Sequence, residues 1–368
     1  MDIALVTEQA LARVPGGTGR YATEVAGALA ATAPAGATVT GWTAWHRDVD
    51  AARVPGVHGP RRLPLPSRPL AAAWEAGLPP RPWGADLVHA TTVLTPRRGR
   101  RTRLVVTVHD AVPWTHPETL TPRGVRWHRA LATRAAAEAD AIVVPTEAVA
   151  RELARHLSLR APVFVAGAGV SARLARPADS EERLARLGLP GGHLVSVATL
   201  EPRKGLDVLL RALAEQPGRL PPLAVVGRTG WGGVEPADMA RGFGLPEGSV
   251  LPLGGLSDED LAAVLSGAVA AVVPSRAEGF GLPVVEAMAA GVPVVTSADP
   301  ALVEVGGGAT RVTPIGDPAA LARALDELVA DPAALAAMRR AGLARSAEFT
   351  WSAVAGRLWD VYADLLHP

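Results

Sequence analysis

Cysteine is absent from this 368-residue chain, which removes disulfides, thiolate metal sites and a cysteine nucleophile from consideration. Asparagine is absent too, and lysine occurs once, at Lys204, against thirty-six arginines. Such usage suits a GC-rich coding sequence. A single ammonium kept under that bias points to a task that a planar guanidinium does less well, such as fitting beside a phosphate. Aromatic residues make up only 4% of the chain, so burial must rest on Ala, Val and Leu. No apolar run approaches ~20 residues, the length needed to span a bilayer. The first residues, MDIALVTEQ, carry an acid at Asp2 and no apolar core of signal length. The expectation is a cytoplasmic protein. No G-x-S-x-G elbow occurs, which weakens a hydrolase reading. No His pair or carboxylate trio has metal-ligand spacing, so neither a metal nor another cofactor is expected.

The length suits two domains rather than one core. Net charge is +1 but uneven: residues 1–165 hold 20 Arg against 13 acids, and the remainder 17 Lys plus Arg against 23 acids. The halves therefore differ in sign. Much of the N-terminal excess is one cluster, Arg97, Arg98, Arg100, Arg101 and Arg103. It reads as a solvated loop or as a contact with anionic lipid or a phosphorylated acceptor at the inner face of a membrane. No aromatics interleave with it, which counts against nucleic acid.

Short valine-rich runs alternate with helical stretches. In the first half, strands are predicted at Asp2–Val6, Thr38–Trp42, Ala85–Ala90, Leu104–Val108, Ala141–Val144 and Val163–Ala166. Helices are predicted at Tyr21–Ala31, Trp127–Glu138 and Thr146–His156. Pro55–Pro82, rich in Pro and Arg, reads as a loop with a short helix. Periodicity fails from Gly167 to Leu189, which suits a connection between domains. A second series begins with strand His193–Ala198 and helix Gly205–Ala214, and continues with strands Leu223–Val226 and Ser249–Leu251. Helices Pro318–Val329, Pro332–Arg345 and Trp351–Leu366 close the chain. Alternation of this kind predicts parallel, doubly wound α/β sheets.

Three local patterns decide between chemistries. Gly17-x-Gly19-x-x-Ala22 matches a dinucleotide fingerprint in letters, but some ten residues separate it from the strand and no acid closes the second strand. Nicotinamide binding is therefore disfavoured. Asp258-Glu259-Asp260 spells D-x-D, yet Ser257 before it makes an acidic capping box, so a helix start is expected rather than a metal site. Thr199–Asp207, TLEPRKGLD, joins a buried strand to a helix, at the strand end where open α/β sheets bind ligands. Arg203 and Lys204 lie on that turn although cations oppose the helix dipole there. They can neutralise a diphosphate.

The organising stretch is Ala277–Val295, AEGFGLPVVEAMAAGVPVV. It follows the apolar run Ala268–Val273, a strand buried on both faces. Glu278 falls on the loop leaving that strand, Gly279 and Gly281 flank Phe280, and Pro283 opens a helix carrying Glu286 one turn in. A helix N-terminus flanked by two carboxylates suits a ligand that is part phosphate, part sugar.

E-G-F-G-L-P-x-x-E-A-M-A-x-G-x-P-V-V resembles the Glu-x7-Glu signature of the retaining GT-B glycosyltransferases of family 4 (glycosyl transferases group 1). The resemblance implies a GT-B fold: two Rossmann-like domains facing across a cleft. Residues 1–170 would bind the acceptor and 171–350 the nucleotide sugar, with helix 351–368 packing back on the first domain. It also implies roles. Glu278, Phe280, Gly281 and Leu282 would meet the donor sugar, Glu286 the ribose, and Arg203, Lys204 and Gly17 the diphosphate. His109, in an H-D pair with Asp110, would orient the sugar and phosphate, making His109 and Glu278 the catalytic pair. Asp110 would hold the His109 tautomer or cap the next turn. Where relatives often have Pro-Asn-Gly, this chain reads Ala166-Gly167-Ala168-Gly169-Val170, so any asparagine role there is missing.

The expected reaction is hexose transfer, of mannose or glucose, from a nucleoside diphosphate sugar to a glycan, lipid-linked or small-molecule acceptor in cell-envelope polysaccharide or glycolipid synthesis. The T-L-E-P-R-K form leans toward mannosyltransferase-like relatives. Two alternatives stand beside it: a GT-B sugar phosphorylase or related nucleotide-sugar enzyme, and a non-catalytic nucleotide-sugar-binding protein.

Overall fold

The computed structural model describes residues 1–215 and 218–367. The chain divides into two compact units, one of Met1–Gly169 with the C-terminal segment from Thr350, the other of Val170–Phe349. Each is a Rossmann-like α/β layer structure. Pro368, placed in the expected terminal helix, lies outside the described residues.

The first unit holds β1 (Asp2–Val6), α1 (Gly16–Ala31), β2 (Thr38–Trp45), β3 (His58–Pro66), α2 (Ser67–Glu75), β4 (Leu87–Ala90), β5 (Arg103–Thr107), α3 (Val112–Thr115), α4 (Pro122–Glu138), β6 (Ala141–Val144), α5 (Glu147–His156) and β7 (Val163–Val165). All seven strands are parallel, in the order β3-β2-β1-β4-β5-β6-β7. Strand β4 is buried throughout, as are β5 beyond Arg103 and β6. This is why they read as continuous apolar runs.

Three expectations for this unit need correction. Pro55–Pro82 is not mainly loop: it contains β3, an edge strand against β2, and α2. Three prolines in β3 cannot donate ladder hydrogen bonds, and the β2–β3 register shifts twice. Proline is tolerated only at such an edge, which it also protects from further pairing. Helix α1 starts at Gly16 rather than Tyr21, so the glycine run is its first turn. Helix α4 likewise starts earlier than read, where Thr121 caps it by accepting from the Gly124 N–H.

The C-terminal helix (Trp351–Leu366) packs on α1. It buries Trp351, Val354, Ala355, Leu358, Trp359, Val361 and Tyr362. Arg357 donates to the Ala166 carbonyl at 2.7 Å, and the Trp359 indole to the Thr32 hydroxyl at 3.2 Å. Tyr362 joins a buried polar chain: its hydroxyl is hydrogen-bonded to His89 Nδ1 at 2.6 Å, and His89 Nε2 to the Thr107 hydroxyl at 2.8 Å. Burial, with His109 nearby, lowers the His89 pKa to about 3, so His89 is neutral.

The second unit holds α6 (Ser180–Arg186), β8 (His193–Val197), α7 (Leu206–Glu215), β9 (Leu223–Val226), α8 (Pro236–Gly242), β10 (Val250–Gly254), α9 (Asp258–Gly267), β11 (Ala268–Val273), α10 (Leu282–Ala289), β12 (Val294–Ser297), α11 (Pro300–Gly306), β13 (Arg311–Thr313), α12 (Pro318–Val329) and α13 (Pro332–Ser346). Its six parallel strands run β10-β9-β8-β11-β12-β13. Residues 167–189, where periodicity fails, include helix α6, which packs on α9. Arg183 ties the two helices by pairing with Asp260 at 2.7 Å. Ser257 accepts from the Asp260 N–H at 3.1 Å, so the D-x-D letters are a helix cap.

Strand order turns back between β8 and β11 in this unit and between β1 and β4 in the first. Loops leaving such neighbouring strands diverge and open a crevice at the carboxyl edge, where doubly wound folds bind ligands.

Leu358 is fully buried between the terminal helix and the first unit's core. Leu358→Ala is expected to cost ~2–5 kcal/mol of stability, measured by urea unfolding.

Candidate active site

The site of the second unit is built from the loops after β8 and β11, the two strands at the turn-back point. After β8 the chain makes a single 3-10 turn, Pro202–Lys204, that ends in left-handed Gly205 at φ 68°. A Cβ on Gly205 would lie 2.1 Å from the Pro274 carbonyl oxygen on the neighbouring loop. Only glycine allows the two loops to approach so closely.

Contact between the loops centres on Glu278, whose side chain is 8% exposed. Lys204 Nζ lies 2.7 Å from Oε1, and Arg203 Nη1 3.2 Å from Oε2. The Ser275 hydroxyl donates to Oε1 at 2.7 Å. Arg203 also donates to the Ala277 carbonyl at 2.7 Å. Burial by itself would raise the Glu278 carboxyl, but Lys204, Arg203 and Ser275 outweigh it and bring it down to about 2. Burial and the Arg203 charge lower the Lys204 pKa, with Glu278 opposing them. Sequence reasoning assigned Arg203 and Lys204 to one ligand group and Glu278 to another. The structure brings all three into one network.

A second layer holds this network in place, and sequence reasoning missed it. The Arg276 N–H donates to the Arg203 carbonyl at 2.8 Å, and its guanidinium to the Pro202 carbonyl at 2.9 Å. The same guanidinium makes a two-pronged pair with Asp207, at 2.8 and 2.7 Å. Arg276 thus braces the whole turn that carries the two cations. Asp299 accepts from the Glu278 N–H at 3.2 Å with one oxygen and caps α11 with the other. Ser297 donates to the Ser275 carbonyl at 2.5 Å. Asp299 before Pro300 was legible as a helix cap, but nothing local linked it to Glu278.

Gly281, at φ 92°, opens α10, and a Cβ there would lie 2.4 Å from Leu302. Leu282 and Pro283 form the first, partly exposed turn. Glu286 is 5% exposed on the same helix, one turn in. Phe280 is buried edge-to-face on Phe349, with centroids 5.6 Å apart. Its ring packs within the second unit, and its backbone lies on the loop between Glu278 and Gly281.

In the first unit, His109 leaves β5 with Nε2 hydrogen-bonded to the Thr91 carbonyl at 2.7 Å. The Thr91 hydroxyl donates to the Val6 carbonyl at 2.8 Å, so His109 is tied to the point where β1 and β4 part. With Nε2 donating to that carbonyl, a neutral ring keeps its lone pair on Nδ1. Burial lowers the His109 pKa against the opposing effects of the Thr91 hydrogen bond and Asp110. Its ring meets Tyr21 edge-on at 4.9 Å. Asp110 accepts from the Val112 N–H at 3.0 Å and so caps the next turn. His128 on α4, which sequence reasoning passed over, feels the Asp110 charge, while its own burial lowers its pKa. Gly17 is exposed in the first turn of α1. Three of the five clustered arginines are paired: Arg97 with Glu138, and Arg98 and Arg103 with Asp140. Arg100 and Arg101 are exposed. Among the described residues, no group of three His, Asp or Glu could hold a metal ion, and no helix is long and apolar enough to cross a membrane.

Two family models match the chain, Glycosyltransferase Family 4 over residues 15–173 and Glycosyl transferases group 1 over 189–345. The chain belongs to the GT-B glycosyltransferases of family 4. This family 4 protein is 37% identical over 249 residues to a D-inositol 3-phosphate glycosyltransferase of Thermobispora bispora, covering 62% of this chain and 56% of that one. A protein of the same name from Streptomyces avermitilis is 36% identical over 251 residues, covering 61% and 52%. The chain spans about half the length of the curated relatives it matches. Sucrose-phosphate synthase from Thermosynechococcus elongatus superposes with a TM-score of 0.75 at 24% identity over 99% of each chain. HepE of Anabaena, in complex with UDP-glucose, gives 0.75 at 20% identity over 99% of this chain and 100% of that one. These likenesses show the fold.

Removing Lys204 leaves a buried carboxylate with fewer partners. Lys204→Met is expected to destabilise the second unit by about 3 kcal/mol, the scale of a broken buried pair. The Glu278 carboxyl, lowered from 4.5 to about 2 by folding, adds stability above pH 4.5 that is lost as pH falls toward 2. Urea unfolding at several pH values should show a shallower acid loss in the variant.

Proposed function

We propose that the protein transfers a hexose from a nucleoside diphosphate sugar to an acceptor, with retention at the anomeric carbon. One observation carries this: Arg203 and Lys204 converge with Glu278 at the carboxyl edge between β8 and β11. Two cations there can hold a diphosphate and stabilise the charge that grows on it as the sugar leaves. Glu278 accepts from sugar hydroxyls, and Glu286 from the ribose. The turn of Gly281 and Leu282 offers backbone N–H groups at a helix start. For His109 and Gly17 the role rests on the family resemblance alone, as does retention, in which the departing diphosphate guides the acceptor to the same face. No required metal or other cofactor is part of this proposal.

The relatives' name makes D-inositol 3-phosphate the first acceptor to try, and the UDP-glucose bound to HepE makes uridine nucleotides the first donors. GDP-mannose belongs in the same panel. Peripheral contact with anionic lipid through the Arg97–Arg103 cluster belongs to the same proposal; Arg100 and Arg101 are exposed, while Arg97, Arg98 and Arg103 carry acidic partners.

A thermal-shift screen of UDP-, GDP- and dTDP-sugars tests the donor assignment, because a bound ligand raises the melting temperature by mass action. One donor is expected to stabilise the wild type. Lys204→Met and Glu286→Ala, each compared with its own ligand-free baseline, are expected to lose that shift. Retention of the full shift by both variants would refute the site.

A further inference from the structure

Both cations of the candidate donor site already hold a carboxylate. Lys204 Nζ and Arg203 Nη1 bond different oxygens of Glu278, at 2.7 and 3.2 Å. Arg203 Nη1 is further engaged by the Ala277 carbonyl, and Nη2 faces the Glu201 carboxylate at 3.9 Å. A diphosphate drawn to these two side chains therefore competes with Glu278 for the same donors.

We propose that Glu278 acts as a built-in rival anion, which makes this site select sugar-bearing nucleoside diphosphates over bare ones. The inference rests on the donor assignment above and adds a specificity-determining role to it. As a diphosphate takes a share of Lys204 and Arg203, Glu278 keeps the Ser275 hydroxyl but loses charge compensation. It cannot turn out to water, because its side chain is 8% exposed and its own N–H is anchored on Asp299. Asp299 contributes no charge compensation, being itself a carboxylate. A buried carboxylate short of donors is costly. Sugar hydroxyls supply replacement donors at that moment. A bare nucleoside diphosphate has only its ribose hydroxyls, which are assigned to Glu286, so it offers Glu278 no replacement donor and brings a second anion beside the first. The sugar thus adds affinity through its own contacts and by relieving Glu278. After transfer the product lacks those hydroxyls, meets the rival carboxylate and leaves readily.

The test is calorimetric titration of wild type and Glu278→Gln with inorganic pyrophosphate, UDP, GDP, UDP-glucose and GDP-mannose at one pH and ionic strength. The amide keeps the size of the side chain and its acceptor oxygen but not the charge. Pyrophosphate and the cognate nucleoside diphosphate are expected to bind the variant about tenfold tighter, the scale of one freed charge-assisted bond. The nucleotide sugar should gain less, so its advantage over the bare diphosphate should shrink by the ratio of the two gains. Equal or weaker binding of pyrophosphate and nucleoside diphosphate by the variant overturns the proposal. If no nucleotide binds the wild type yet pyrophosphate shows the gain, the donor assignment fails while the rivalry stands. If pyrophosphate binds neither protein, the rivalry fails. Glu278→Ala is read by the same criteria should the amide variant not fold.

Discussion

A carboxylate withdrawn from water between two cations is the interaction on which the second unit's carboxyl edge depends. Burial pushes the Glu278 carboxyl toward its neutral form, and the charges of Lys204 and Arg203 push harder the other way. The result is an ionised group largely withdrawn from solvent, stable only while its partners keep their places. That requirement explains the surrounding architecture. Arg276 fastens the cation-bearing turn through two backbone carbonyls and Asp207, and Asp299 holds the backbone of Glu278 itself. Gly205 lets the two loops come within reach of one another. Loops leaving β8 and β11 would otherwise diverge, because the strand order turns back between them.

The first unit answers the same topology with different chemistry. At its turn-back point Thr91 bonds backward to β1 through its hydroxyl and forward to His109 through its carbonyl. Here burial pushes the histidines toward their neutral form. His89 is kept uncharged by burial, between Tyr362 and Thr107. The terminal helix is what delivers Tyr362, so the last residues of the chain complete the interior of the first domain. At its turn-back point the second unit stabilises charge by pairing it, whereas at the first unit's turn-back point burial holds the histidines toward the neutral form.

Much of the fold was legible because parallel strands are buried on both faces and announce themselves as valine-rich runs. Strands β1, β4, β5, β6, β8, β9 and β11 fall where those runs lie. Strand β3 was not legible: Pro60, Pro64 and Pro66 are turn signals in a sequence, and only an edge position makes them compatible with a strand. Helix α6 was hidden for another reason. Its exposed faces are charged, and its reason to fold is a partner helix some 75 residues away. Helices α3, α8 and α11 were too short for periodicity to register.

The sequence by itself determined the chemical inventory of the site: one ammonium next to an arginine on a strand-to-helix turn, and two acids eight positions apart around a glycine-relieved helix start. These are local properties, set by residue type and spacing. Tertiary structure alone decided that Glu278 and the two cations bind one another, that Phe280 packs on Phe349, and that Arg276 and Asp299 hold the arrangement together. Those contacts span between about 20 and 75 residues of chain, and no short-range pattern encodes which buried charges meet when two crossovers bring separate loops to one edge of a sheet.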